Sequence, residues 1–126
     1  MAEHNELGKW GERKAEEYLR RKGYQILERD WRFGHHDLDI VALTPEGVLA
    51  IVEVKTRATN DLTTPEEAVN RKKILSIQKA SNSYVKQKAF DGRIRFDIIA
   101  ITGKTDATMV LDHIENAFTP IPTYRY

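Results

Sequence analysis

Three residues have the types and spacing to hydrolyse a phosphate ester with the help of a metal. Asp39 lies in HDLDIVAL (36–43), and Glu53 and Lys55 end the run VLAIVEVK (48–55). Side chains alternate faces along a strand, so Glu53 and Lys55 share one face, with Leu49 and Ile51 behind them. Asp37 and Asp39 likewise share a face with Val41 and Leu43. Each strand is then apolar near the connecting turn and charged at the far end. Isolated buried charge costs several kcal/mol unless something compensates it. A hard cation such as Mg²⁺ or Mn²⁺ compensates, because it takes carboxylate oxygens and leaves room for water and phosphate. Lys55 would orient or help deprotonate an attacking water, or offset charge on the phosphate. The alternative is an exposed ion pair at a strand end.

The carboxylates meet only if the turn between them has the right parity. An even loop that pairs Leu43 with Val48 puts Asp39 opposite Val52. An odd loop, or a bulge at Gly47 in Thr44-Pro45-Glu46-Gly47, puts the two acids on one face. The metal reading therefore predicts an irregular turn. Glu12 is a further candidate, because the small Gly11 before it would let its helix approach the sheet.

The surrounding elements read as α-β-β-β-α-β-β. NELGKWGERKAEEYLRRKGY predicts a helix with Leu7, Gly11, Ala15, Tyr18 and Leu19 on one stripe and Gly23 as its stop. YQILERDWRF, HDLDIVAL and VLAIVEVK predict three strands. Thr64-Pro65-Glu66-Glu67 predicts the capped start of a second helix running to about Lys88. IRFDIIAIT and ATMVLDHIENAF predict two more strands. The expected fold is α/β: a mixed sheet flanked by helices, in one domain over 1–118 with a tail at 119–126.

The 126 residues have a net charge of +1 and no cysteine. No stretch approaches the ~18 apolar residues of a membrane span. The N-terminal residues lack the apolar core of a signal peptide. The expectation is a cytoplasmic protein without a membrane partner. Charge is unevenly placed: residues 71–95 hold eight basic residues against Asp91 alone. Arg71, Lys72, Lys73 and Lys79 are the candidates for a row along a nucleic-acid backbone, with Arg57 at the Lys55 strand end; a solvated helix face is the competing reading. His35 and His36 read as a surface pair, and Trp10 and Trp31 as packing residues before base-stacking ones.

The ordered set GKWGERKAEEYLRRKGYQILERDWRFGHHDLDIVAL, VEVKTR, the Lys72-Lys73 helix and RFDIIAI resembles the YraN-like family of small bacterial proteins. It also resembles the PD-(D/E)XK nuclease superfamily of restriction-endonuclease fold and, more distantly, the archaeal Holliday junction resolvases. The resemblance implies an αβββαβ core and a DNA endonuclease with Mg²⁺ or Mn²⁺. Asp39, Glu53 and the Val54 backbone carbonyl would be ligands, Lys55 the catalytic lysine and Glu12 the N-terminal acid. It implies branched or structured DNA as substrate, and a two-fold substrate implies a homodimer. Leu38 replaces the superfamily's proline, and His36-Asp37 stands where the family often has Gly-Glu. The superfamily also holds members that bind without cleaving, so a non-catalytic nucleic-acid-binding protein is the second reading and a protein-interaction domain the third.

Overall fold

A computed structural model describes residues 2–58 and 69–120. The elements are α1 (Ala2–Arg21), β1 (Gln25–Phe33), β2 (His36–Leu43), β3 (Leu49–Arg57), α2 (Arg71–Lys88), β4 (Ile94–Thr102) and β5 (Val110–Ile114). One five-stranded sheet has the order β1-β2-β3-β4-β5. β3 and β4 run parallel and the other neighbours antiparallel. This is the mixed α/β sheet that the sequence predicts.

The parallel pair is buried on both faces. Phe96 to Ile101 of β4 are all buried, including Asp97, as expected for a parallel strand covered on both sides. Under α2 lie Val41, Leu49, Ile51, Phe96 and Ile98, with Ile77 and Tyr84 from the helix. Under α1 lie Ile40, Ala42, Ala50, Val52, Ile99 and Ile101, with Ala15 and Leu19. α1 ends where Gly23 turns into a left-handed conformation (φ 88°). There the Tyr24 N–H bonds back to the Leu19 carbonyl at 3.0 Å. Among the described residues no helix is long and apolar enough to cross a membrane.

The second helix begins later than expected. Val69 and Asn70 are not helical. The Asn70 side chain caps α2 by accepting the Lys73 N–H at 2.9 Å. The predicted cap at Thr64 lies outside the described residues.

The β2–β3 turn has the predicted irregularity. Leu43 pairs with Leu49, leaving an odd loop from Thr44 to Val48. Gly47 sits at φ 85° and donates its N–H to the Thr44 carbonyl at 2.9 Å. The Thr44 hydroxyl accepts the Val48 N–H at 3.0 Å. The ladder then runs to Ile40–Val52, so Asp39 and Glu53 are the next opposed pair.

Candidate active site

Regular alternation ends at Asp39. Ile40 belongs to the core under α1, whereas Leu38 belongs to the core under α2. Strict alternation would put both on one face. On the neighbouring strand, Arg29 pairs with Ile40 and Trp31 with Leu38. Asp30 between them is left-handed (φ 46°). Asp39 thus stands where β2 leaves the β3 ladder, and its Oδ2 accepts the Val54 N–H at 2.9 Å. A side chain here takes the place of a backbone acceptor, and the two strands part around it.

Glu53 is buried, at 5% exposure. Lys55 Nζ is 3.8 Å from its Oε2. Lys73 Nζ approaches the same oxygen at 3.5 Å and Asp37 Oδ1 at 3.9 Å. The sequence grouped Lys73 with the exposed row on α2. Its ammonium instead enters the carboxylate site, while Arg71, Lys72 and Lys79 remain exposed. Those three line a groove of about 670 Å³ together with His35 and His36. His36 Nδ1 lies 2.8 Å from the Ser76 hydroxyl, which ties the β2 entry to α2. Arg57, at the end of β3, is half-buried; its carbonyl accepts the Gly103 N–H at 2.8 Å.

Glu12 approaches Asp39 from the α1 face. A Cβ added at Gly11 would strike the Thr56 side chain, lying 2.9 Å from its Cβ, so this glycine lets α1 press onto β3. One ligand oxygen each from Glu12, Asp30 and Asp39 lie within 4.8 Å of one another. Asp30 is a member that sequence reasoning missed. It stands opposite Asp39 only because β1 shifts register between Ile26 and Glu28, and no local pattern announces that shift.

The electrostatics show the cost of this crowding. Burial pushes the Glu53 carboxyl up to about 8, and Asp39 adds to the rise. Burial also raises Asp39, against the Val54 N–H and Lys73. Burial, Asp39 and Asp30 raise Glu12 to about 7. Burial works against the Lys73 charge, but Glu53, Asp37 and Asp39 outweigh it and hold the ammonium protonated. These are the signs expected of like-charged acids gathered in a dry site. The donors are hard oxygens on rigid elements, and added positive charge would relieve their repulsion. The set therefore fits a divalent cation of the Mg²⁺ or Mn²⁺ type.

A second polar network was also not anticipated. Asp97, fully buried, accepts Arg95 Nε and an Arg95 terminal nitrogen at 2.8 Å and the Asn116 N–H at 3.0 Å. His113 Nε2 lies 2.8 Å from the same carboxylate, and the other ring nitrogen is 3.1 Å from the Tyr18 hydroxyl. This network joins β4, β5 and α1 on the face of the sheet opposite the Glu53–Lys73 contact. Trp31 packs edge-on against Tyr84, with centroids 5.1 Å apart, so its role is core packing.

The family model for the uncharacterised protein family UPF0102 matches residues 11–101, which include Glu12, Asp39, Glu53, Lys55 and Lys73. The chain belongs to UPF0102. A UPF0102 protein of Bacteroides thetaiotaomicron is 49% identical over 120 residues, 95% of this chain and 98% of that one. UPF0102 proteins of Bacteroides fragilis and Flavobacterium psychrophilum are 48% and 47% identical, covering 95% and 94% of this chain and 98% of theirs. Among solved structures, Pyrococcus furiosus SfsA in complex with Ca²⁺ matches at a TM-score of 0.30 and 11% identity, over 80% of this chain and 58% of that one. That likeness is too slight to carry an argument.

Proposed function

We propose that this UPF0102 protein is a metal-dependent nuclease that hydrolyses phosphodiester bonds in DNA, with a site of the PD-(D/E)XK kind. One observation carries the reading. Asp39 and buried Glu53 are brought together at the parting of two strands, and the Lys55 ammonium stands 3.8 Å from Glu53. Asp39, Glu53 and the Val54 carbonyl would hold Mg²⁺ or Mn²⁺, with Glu12 as a further acid. A bound ion supplies positive charge to the phosphate and an acidified water. Lys55 orients that water and offsets charge as the phosphate is attacked. Lys73 keeps Glu53 in place from the opposite element. Arg71, Lys72 and Lys79 hold the backbone without reading sequence, and Arg57 extends that contact from the end of β3. Branched or structured DNA is the substrate class, with a homodimer matching a two-fold branch.

The test is a cleavage panel. Purified protein with Mn²⁺ is offered four-way junction, flap, single-stranded and duplex DNA. Cleavage is expected on at least one substrate, with Glu53→Gln and Lys55→Ala inactive. Cleavage of none, or equal cleavage by Glu53→Gln, overturns the proposal. Binding without cleavage would leave a nucleic-acid-binding protein.

A further inference from the structure

Beside the acid site is a second cavity that the proposed chemistry does not use. It has a volume of about 650 Å³, within the range of small-ligand sites. Leu7, Trp10 and Ala58 form its apolar part, and Lys9, Arg13 and Lys104 bring three cations against the single carboxylate of Glu6. Lys9 and Arg13 also line the cleft that contains Glu12, Asp30 and Asp39. The two hollows are therefore contiguous across one stripe of α1. Trp10 and Glu12 are two positions apart on that helix, and Arg13 neighbours Trp10 at i+3 and Lys9 at i+4. Along the axis Trp10 and Glu12 are only ~3 Å apart, but they leave nearly opposite sides of the helix, with the Lys9 and Arg13 stripe between them.

Trp10 is also held in one orientation. Its Nε1 donates to Asp106 Oδ1 at 2.9 Å, and Lys14 binds the other oxygen of that carboxylate. A fixed aromatic surface with cations between it and a phosphate-chemistry site suits a flat, uncharged ring on a phosphate chain. Stacking of this kind is available to every base and needs the base unpaired.

We infer that the Trp10 cavity is a subsite for an unpaired nucleobase on the strand whose phosphate is held at Asp39 and Glu53, across the Lys9 and Arg13 stripe. Lys9 and Arg13 take the phosphate between them. This rests on the proposed nuclease reading and sharpens its substrate class: strands with an unpaired nucleotide beside the scissile bond, in preference to continuous duplex.

The experiment follows intrinsic fluorescence and anisotropy in the Glu53→Gln protein, without divalent ions. The probes are a short single-stranded DNA, an abasic chain of equal length and a blunt duplex. The single strand is expected to quench tryptophan emission and to bind about tenfold more tightly than the abasic chain. Trp10→Phe should abolish the quench, because the remaining Trp31 packs edge-on against Tyr84 and does not line this cavity. Trp10→Ala should weaken binding about tenfold. The exposed pair Lys9→Ala and Arg13→Ala, which does not threaten the core, should weaken it too. Equal affinity for normal and abasic chains, duplex binding as tight as single-strand binding, Trp10→Ala that binds like the parent, or no binding at all would each overturn the subsite. The two claims separate: cleavage by the parent without any quench removes only the subsite, and a Trp10-dependent quench without cleavage of any DNA removes only the nuclease.

Discussion

The Asp39 carboxylate accepts the Val54 N–H at 2.9 Å, across the point where β2 and β3 part. The carboxylate proposed as a metal ligand here doubles as the acceptor for a strand amide. The two roles separate by substitution. Asp39→Asn keeps an acceptor and removes the charge that repels Glu53 and Glu12. The metal-free protein should then be as stable as the parent or melt a few degrees higher, while calorimetric Mn²⁺ binding disappears. Asp39→Ala leaves the amide without its partner and should cost about 1–3 kcal/mol. Parent-like Mn²⁺ binding by Asp39→Asn would move the metal site elsewhere.

The raised acids set a pH dependence for the metal-free fold. Glu53 rises from an ordinary 4.5 to about 8 and Glu12 from 4.5 to about 7. The folded state therefore holds more protons than the unfolded chain between those limits. Their contribution is fully present below about 4.5 and is lost as pH rises through 7 to 8. Melting temperature should fall on this alkaline limb, and Glu53→Gln should flatten it. A divalent ion competes with those protons, so added Mn²⁺ should raise the melting temperature more at pH 8 than at pH 6. A Mn²⁺ effect independent of pH would contradict the assignment.

Gly11 sets how closely α1 approaches the site. Gly11→Ala gains up to about 1 kcal/mol of helix propensity. It also drives a methyl into Thr56, and overpacking typically costs about 1–3 kcal/mol. The expected outcome is a net loss, read as a lower melting temperature, with cleavage reduced because Glu12 is displaced. Thr56→Ala should partly restore both in the double variant, since it removes the nearest atoms but leaves the Thr56 Cβ. Additive effects in that cycle would mean that the contact is not the cause.

The basic residues of α2 should divide into two kinds. Lys72 and Lys79 are exposed and line the groove with His35 and His36. Each one changed to alanine should lower the slope of log affinity against log salt by about 1. Lys73→Ala should instead act through Glu53, which its ammonium approaches at 3.5 Å. It should shift the pH dependence of Mn²⁺ binding while changing the salt slope less. Equal slope changes for all three lysines would return Lys73 to the row that the sequence suggested.

What was legible in the sequence follows from which interactions are local. β2 and β4 have the bounds that their apolar patterns predict, and the odd Thr44–Val48 turn follows from requiring Asp39 and Glu53 to meet. The proximity of Glu12 was hinted at by Gly11. Asp30 was not legible, because its place opposite Asp39 depends on a register shift in β1 and its own left-handed backbone. The Asn70 cap of α2 was not legible, because an isolated asparagine is a weak local signal; the Thr64-Pro65 signal lies outside the described residues. Lys73 was grouped by charge, which does not say which side of a helix faces the sheet. Asp97 was not singled out by the sequence. Its partners Arg95, His113 and Asn116 come together only when β5 returns beside β4.

Asp97 also carries the last prediction, of opposite sign to Glu53. Burial alone would raise its carboxyl, but hydrogen bonds from His113, Arg95 and the Asn116 N–H outweigh that and hold it below its ordinary value. Its contribution is present above the unfolded carboxylate range and is lost as pH falls through the lower folded value. The metal-free protein should therefore have an acid limb set by Asp97 and an alkaline limb set by Glu53 and Glu12, with greatest stability between. Asp97→Ala leaves Arg95, whose side chain is only 17% exposed, with Glu115 at 3.5 Å and the Tyr24 hydroxyl as its remaining partners, and leaves His113 without its carboxylate acceptor. Removing one partner of a buried pair costs about 3–5 kcal/mol, so this variant should be strongly destabilised at neutral pH and lose the acid limb. Its alkaline limb should keep its shape, because Glu53 meets Lys73 on the α2 face of the sheet whereas Asp97 faces His113 and Tyr18 on the α1 face. An unchanged acid limb in Asp97→Asn, measured by thermal melting from pH 3 to 9, would assign acid unfolding to other carboxylates.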